Sequence, residues 1–299
     1  MFFHIINHFT PSGAGPHLDA STVFSASLAI RSPLVAAVLV VDGSAQENLA
    51  LAAELHGIGV EYCHAGRALA FAEGYNFGIA RSDQPWTILS ANDIYPAGDV
   101  FEAIWEASGK GSDPTVGCVI PFLTDSDLEI QAAWDLRHVA PCSIPLMTLN
   151  FNAFPTDYLR SIGCVPTEFS GGFNDVLMAW RIRQDGRRIV IAPARCLHMS
   201  RLTLDSGTTM VDFEADHERF QSDHGDIYLR DSYWELDIAK FMNTPLQRFL
   251  ARLIRYVPAS RRYEVAAGFL MLVLRPTRFP NFIRRLKRFL MRRLTRRKA

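Results

Sequence analysis

Five short apolar runs, residues 2–9, 34–41, 60–64, 86–90 and 116–123, are separated by segments of helical composition at 19–30, 48–56, 70–80 and 100–106. Nearly continuous apolar strands alternating with helices belong in a parallel sheet that is covered on both faces. In such open sheets ligands gather at the carboxyl ends of the strands, so the residues that follow each run are the first candidates for chemistry. A chain of 299 residues is long enough for one large α/β domain, or for a domain with an appendage, and buries a substantial core.

The second run ends in Asp42-Gly43-Ser44, where a ligand-contacting acid is expected, although an Asx or Ser/Thr turn accounts for the same residues. In AFAEGYNFGIA, residues 70–80, Gly74 and Gly78 flank Asn76 at a helix start. Glycines are costly there unless the backbone must approach something closely. The fourth run ends in Ala91-Asn92-Asp93, and this pair of polar residues also suits the N-cap region of the 100–106 helix. The two uses are compatible. Residues 150–163 read as a helix entry stopped by Gly163.

The most informative stretch is GGFNDVLMAWRIRQDGRRIVIAPARCLHMS, residues 171–200. Asn174 is suited to cap a helix, with Asp175 in the first turn, where the macrodipole favours a carboxylate. Phe173, Val176, Leu177, Trp180 and Arg183 recur at three-and-four spacing. Asp185-Gly186 stops the helix, and a β-branched strand over 188–192 runs into Pro193.

An Asp, an Arg six residues on, a Gly five further, a strand ending in Pro and then a His: Asp175, Arg181, Gly186, Pro193 and His198 resemble the catalytic segment of inverting glycosyltransferases of family 2. Bacterial-type polysaccharide and lipopolysaccharide transferases of this family have the GT-A fold. Asp42 and Ser44 match its Val-Asp-Asn-Gly-Ser strand end, and Gly74 and Asn76 match its Gly-x-Asn-x-Gly-Ile stretch beside the donor nucleotide. Ala91-Asn92-Asp93 falls on the Asp-x-Asp signature, with Ala91 in place of the first acid. Asn174 likewise replaces an acidic neighbour, and Leu177 a frequent second Asp. The resemblance covers roughly residues 1–200.

It implies an α/β, Rossmann-like GT-A domain with a mostly parallel sheet. The implied activity moves a sugar from a nucleotide-diphosphate donor to a hydroxyl of a glycan or lipid-linked acceptor, with inversion. Asp175 would be the general base; as an ordinary aspartate it would be a weak one, though always ionised. Asp42, Ser44, Gly74, Asn76, Asn92 and Asp93 would frame the donor. Asp93 and His198 would hold Mg²⁺ or Mn²⁺ against the diphosphate, since such hard cations take few protein oxygens plus phosphate oxygens. His198 also fits an ordinary hydrogen-bonded histidine, and Arg181 a supporting ion pair. Two rival classes stand beside the enzyme: a scaffold that kept the fold and lost the chemistry, favoured by Ala91 and Asn174, and a nucleic-acid-binding protein led by its C-terminal tail.

Residues 124–145, with Trp134, Arg137 and His138, read either as an acceptor-side loop or as solvated surface. Residues 201–243 are polar and expected to pack back over the site, with His217, Asp223, His224 and Asp226 on a solvated face. Five scattered cysteines and no CxxC pair point to a reducing compartment and away from zinc, and no signal peptide is visible at the N-terminus. Cytoplasmic residence, peripheral on the inner face of the cell membrane, is the expectation.

Charge divides the chain. Of its 31 bases and 31 acids, residues 245–299 hold 16 bases and one acid, Glu264, leaving 15 bases against 30 acids before them. This asymmetry sets a transferase domain at 1–243 and a basic helical tail at 244–299. Residues 265–274 are apolar but too few to span a bilayer. Phe282, Ile283, Leu286, Phe289, Leu290 and Leu294 recur at helical spacing among six Lys and Arg, which describes a helix lying on an anionic membrane surface. Nucleic acid and the chain's own acidic domain are the rival partners. Phosphate-tracking arms, however, need charge rather than six large hydrophobes. Deleting residues 277–299 should release the protein from anionic vesicles in sedimentation while leaving its thermal melt intact. A truncated protein that still sediments, or one that no longer folds, would refute membrane docking.

Overall fold

All five apolar runs become strands, and their order is set by the first. The structure, a computed structural model, describes residues 1–10, 17–96, 98–125, 142–144, 149–199 and 211–230. The tail from residue 244, most of the expected acceptor-side loop (126–141 and 145), and residues 201–210 and 231–243 of the segment expected to pack over the site lie outside the described residues. Strand β1 (Phe2–His8) leads to helix α1 (His17–Ala29), β2 (Val35–Asp42), α2 (Leu49–Gly57), β3 (Glu61–His64) and α3 (Phe71–Ile79). There follow β4 (Trp86–Ala91), β5 (Ile94–Pro96), α4 (Val100–Ala107), β6 (Val116–Asp125), β7 (Cys142–Ile144) and β8 (Phe151–Pro155). The described chain closes with α5 (Thr156–Ser161), α6 (Asn174–Gln184), β9 (Arg188–His198) and α7 (Phe213–Arg230). Among the described residues no helix is long and apolar enough to cross a membrane.

One nine-stranded sheet runs in the order β3-β2-β1-β4-β8-β6-β9-β5, with β7 paired to β9. Strands β3, β2, β1 and β4 are parallel, as are β6 and β9, while β8 is antiparallel to both of its neighbours. Alternation along β1 sends Phe2 and Ile6 to one face and Phe3 and Ile5 to the other. The first face packs on Ala26 and Ala29 of α1, Leu51 and Leu55 of α2, and Phe101 and Ile104 of α4. Against the second lie Tyr75 and Ile79 of α3, Leu159 of α5, and Met178 and Ile182 of α6. Each fully buried Leu, Ile or Phe contributes about 1.5–3 kcal/mol.

Several expectations change on contact with this architecture. Pro193 does not end its strand. Ile120 pairs with Ile191 and Phe122 with Arg195, so β9 spends two extra residues in a bulge around Pro193 and continues to His198. Asn92 and Asp93 do not cap α4, whose N-cap position is Asp99; they form the turn between β4 and β5. Asn174 is the first helical residue of α6 and the cap position is Phe173. The glycines of α3 have a packing reason: a Cβ at Gly74 would overlap the Asn7 side chain, and one at Gly78 would lie 2.7 Å from Ile5 Cγ2. Helix α3 thus rides directly on β1.

His4 sits fully buried in β1 between the rings of Phe101 (5.8 Å) and Phe151 (5.3 Å), and neither ring nitrogen has a hydrogen-bond partner among the described residues. Burial pushes its pKa down from 6.5 to about 3. The folded chain therefore refuses a proton that the unfolded chain accepts. Stability is full above about 6.5 and falls as the pH drops toward 3, by up to roughly 4–5 kcal/mol. In thermal melts His4→Leu should lose less stability than the natural protein between pH 6 and 4, giving a shallower acid slope; parallel slopes would remove His4 as the sensor.

Candidate functional site

The registers of β1 bring the strand ends level. His8 pairs with Asp42 of β2, Asp42 with His64 of β3, and Asn7 with Ala91 of β4. Asp42 is fully buried. Its Oδ1 accepts Ser44 N–H at 2.9 Å, the Asx turn allowed by the sequence, and its Oδ2 accepts the Tyr62 hydroxyl at 2.7 Å. Burial, with the Asp42 bond adding to it, pushes the Tyr62 hydroxyl well above its ordinary range. Ser44 accepts Thr10 N–H at 2.9 Å, and its carbonyl accepts His64 Nε2–H at 2.8 Å.

Beside Asp42 lies a network the sequence did not reveal. His8 shares hydrogen bonds with Thr22 Oγ1 and Thr10 Oγ1, both 2.7 Å, and its Nε2 is 3.3 Å from Asp19 Oδ1. Asp19 also accepts from Thr10 (3.0 Å) and Asn48 (2.8 Å). The bond with His8 is the chief reason that its carboxyl lies below the usual range, with Asn48 and Thr10 working the same way against burial. Asn92 reaches His8 Nδ1 at 3.4 Å, and its carbonyl accepts Ser21 Oγ–H at 2.9 Å. Ser25 in turn donates to Ile94 O at 2.6 Å, so α1 holds both ends of the β4–β5 turn.

Asp93, in that turn, is brought against the end of β9. Ile94 pairs with His198, Met199 N–H donates to Asp93 O at 2.9 Å, and Asp93 Oδ2 lies 3.6 Å from His198 Nε2. Both side chains are about nine-tenths buried, at 10% and 12% exposed. Among the described residues no group of three or more His, Cys, Asp or Glu is gathered to hold a metal. One carboxylate oxygen and one imidazole nitrogen at this separation do fit a divalent cation that takes its remaining ligands from phosphate and water.

Gly74 lies against the side chain of Asn7, which is level with Ala91 at the same edge. Asn76 spends its whole amide on one residue, donating to Val165 O at 2.8 Å and accepting Val165 N–H at 2.9 Å. It ties α3 to the loop that precedes α6. Arg181 lies 3.9 Å from Glu168 in the same loop and donates to Ile162 O at 3.2 Å.

Asp175 occupies the first turn of α6. Its carboxylate accepts Val176 N–H at 2.8 Å and makes no ion pair among the described residues. Burial, opposed only in part by backbone N–H groups, pushes its pKa up from 3.8 to about 6. The expectation of an ordinary, weak aspartate is thus corrected. No hydrogen bond or ion pair joins it to Asp93 or His198; the two groups are carried by separate elements.

The apolar stripe expected on α6 does form, and its partner is α7. Phe169, Leu177 and Phe220 make a small buried cluster, with Phe173, Val176 and Trp180 packed around it. Asp216 of α7 is buried as well, accepting from Ser170 N (2.7 Å), Ser170 Oγ (2.8 Å), Gly171 N (3.0 Å) and Gly172 N (2.7 Å). Residues 201–243 are expected to pack back over the site, but the roles of Asp216 and Phe220 were not foreseen, and His224, read as part of a solvated face, packs beside Phe220. The signal was present: Asp216, Phe220 and His224 recur every four residues, the spacing of a buried helix stripe.

The chain matches no protein-family model and no curated protein sequence. Its architecture does match solved structures. GalNAc-T7 with UDP, GalNAc and Mn²⁺ aligns at TM-score 0.57 and 14% identity, over 90% of this chain and 55% of that one. The mannosyltransferase PcManGT from Pyrobaculum calidifontis, with GDP-Man and Mn²⁺, aligns at 0.52 and 15% identity, over 93% and 86%. S. aureus TarS 1–349 with UDP-GlcNAc aligns at 0.52 and 11% identity, over 93% and 91%. The chain spans about half the length of the GalNAc-T7 chain. At these identities the likeness defines the fold, which is the Rossmann-like GT-A fold of nucleotide-sugar glycosyltransferases.

A carboxyl held above its unfolded pKa costs nothing below about 3.8 and destabilises the fold as the pH rises through about 6. Asp175→Asn should therefore raise the melting temperature at pH 8, by the equivalent of about 2–3 kcal/mol, and leave it unchanged at pH 4. A pH-independent difference between the two proteins would refute the assignment.

Proposed function

We propose that this chain is an inverting glycosyltransferase that moves a sugar from a nucleotide-diphosphate donor to an acceptor hydroxyl, with Asp175 as general base. The observation that carries the reading is Asp175 itself, a carboxylate at a helix head that makes no ion pair among the described residues and whose pKa burial pushes up to about 6, on a GT-A scaffold. A base of that strength is better matched to neutral pH than an ordinary aspartate, yet is still ionised there. Asp175 accepts the acceptor's hydroxyl proton as its oxygen bonds to the anomeric carbon, while the bond from that carbon to the diphosphate breaks.

Asp42, Ser44, Asn92 and Asp93, level along the carboxyl edge, frame the donor, with Gly74 and Asn76 setting α3 behind them. Asp93 and His198 would hold Mg²⁺ or Mn²⁺. Such an ion, when bound, supplies positive charge to the departing diphosphate. Arg181, through Glu168, braces the loop ahead of Asp175. The acceptor class is a glycan or lipid-linked hydroxyl, with the basic tail, residues 277–299, bringing the enzyme to an anionic membrane surface on the cytoplasmic side.

The nucleotides bound to the aligned structures, the donors UDP-GlcNAc and GDP-mannose and the diphosphate UDP, make the first members of a thermal-shift panel, run with and without Mn²⁺. Release of nucleoside diphosphate from the stabilising donor then reports transfer. Asp175→Asn should lose about 10²–10⁴-fold in kcat while the donor shift is kept, and kcat/KM of the natural protein should rise with pH through about 6. A donor that binds without any release would favour the inactive scaffold, the reading that Ala91 and Asn174 support. Binding to plain RNA without a donor shift would favour the nucleic-acid reading.

A further inference from the structure

We propose that Asp216 is a positioning residue: by gripping Ser170, Gly171 and Gly172 it fixes the backbone that delivers Asp175, which makes α7 part of the transfer machinery. The inference rests on the reading of Asp175 as the base.

One buried carboxylate takes four hydrogen bonds from three consecutive residues, one on Oδ1 and three on Oδ2. No cation takes part in that set. Backbone N–H vectors are therefore what Asp216 organises, in the manner of an anion in a nest. Ser170 closes the linkage from the other side, since its Oγ accepts Asp212 N–H at 2.8 Å while Asp212 Oδ1 caps α7 at Ala215 N–H, 3.0 Å. Loop and helix start are interlocked.

The grip reaches the base through two residues. Gly172, whose N–H is held by Asp216, uses its carbonyl to accept Asn174 N–H at 2.9 Å. Between them Phe173 is forced to φ +64°, ψ −6°, a left-handed conformation disfavoured for any residue with a Cβ. Its ring is stacked on Phe220 of the same α7, with centroids 4.9 Å apart and planes 24° apart. Phe173 O then accepts Leu177 N–H at 3.0 Å and starts the helix whose first turn carries Asp175. Nor has the loop room to relax, because a Cβ at Gly171 would come within 2.7 Å of Val211 Cγ2. A strained residue persists only where its surroundings over-determine it, and such strain collects at functional sites. Here α7 supplies both constraints, the carboxylate on one side of Phe173 and the aromatic stack on the other. The apolar cluster alone would dock α7; fixing three successive N–H groups is a further act, and it ends three residues from the base.

The test uses the full chain and compares Asp216→Asn with the natural protein by three measurements. These are amide hydrogen exchange at residues 170–172, the NMR titration of the Asp175 carboxyl, and transfer kinetics with the donor identified above. Asparagine offers one acceptor oxygen and turns N–H groups toward N–H groups, so exchange should quicken about 10–100-fold. The kcat should fall about 10–100-fold with donor KM held within about twofold, because misplacing a base by an ångström acts on the chemical step. The Asp175 titration should move away from about 6. Ser170→Ala, which removes one of the four bonds, should move kcat and titration in the same direction by less, and it carries the test if Asp216→Asn does not fold. A folded variant with faster exchange but unchanged kcat and unchanged Asp175 titration would overturn the proposal and leave Asp216 a cap. If the natural protein transfers no sugar, the functional reading fails; the Asp175 titration in Asp216→Asn still decides whether Asp216 positions it.

Discussion

The register of β1 against its two neighbours is the constraint on which the rest depends. It levels His8 with Asp42 and Asn7 with Ala91, and so gathers three strand ends on one edge. A slip of one residue would exchange its two faces, bringing His4 to the α3 side and Phe3 to the α4 side. The aromatic seat of His4 and the close approach of Gly74 and Gly78 to Asn7 and Ile5 both penalise such a slip. Packing on both faces of one strand therefore fixes where the polar residues of three strands meet.

Carboxylates in this molecule show how donors decide character. Asp216 and Asp175 are both aspartates largely withdrawn from water. For Asp216, burial pushes the carboxyl up and the bonds from Ser170, Gly172 and Gly171 more than reverse it, so it lies below the ordinary range. Asp175, with Val176 and its own backbone as donors, stays at about 6. Structure-building and chemistry thus use the same side chain, separated by how many N–H groups point at it.

Sequence patterns made the sheet legible because continuous apolar runs and turn residues are local signals. The helix ends at Asn48 and Gly186 were equally plain, for the same reason. The candidate site was legible where a residue follows a strand directly, as at Asp42 and Asp93. It was opaque where long-range contacts decide. Nothing near Asn76 tells that its amide binds Val165, 89 residues away, and nothing near Gly171 announces Asp216. The raised pKa of Asp175 was beyond reach as well, since it depends on burial and on which donors the fold withholds. Pro193 misled because proline is expected to stop a strand, whereas the lattice of β6 and β9 absorbs it in a bulge.

That bulge has a consequence for how the protein can vary. Upstream of it β9 is paired through Ile189–Ile191 with both β6 and β7; downstream it is paired with β6 and β5 and presents His198 to Asp93. Because side chains alternate, the number of residues in the bulge acts as a parity setting. Losing one residue between 192 and 194 would leave the upstream pairing unaltered but turn every later side chain over, sending Met199 where His198 now stands. Lineages of this chain should thus tolerate substitutions in the bulge far better than single-residue changes in its length.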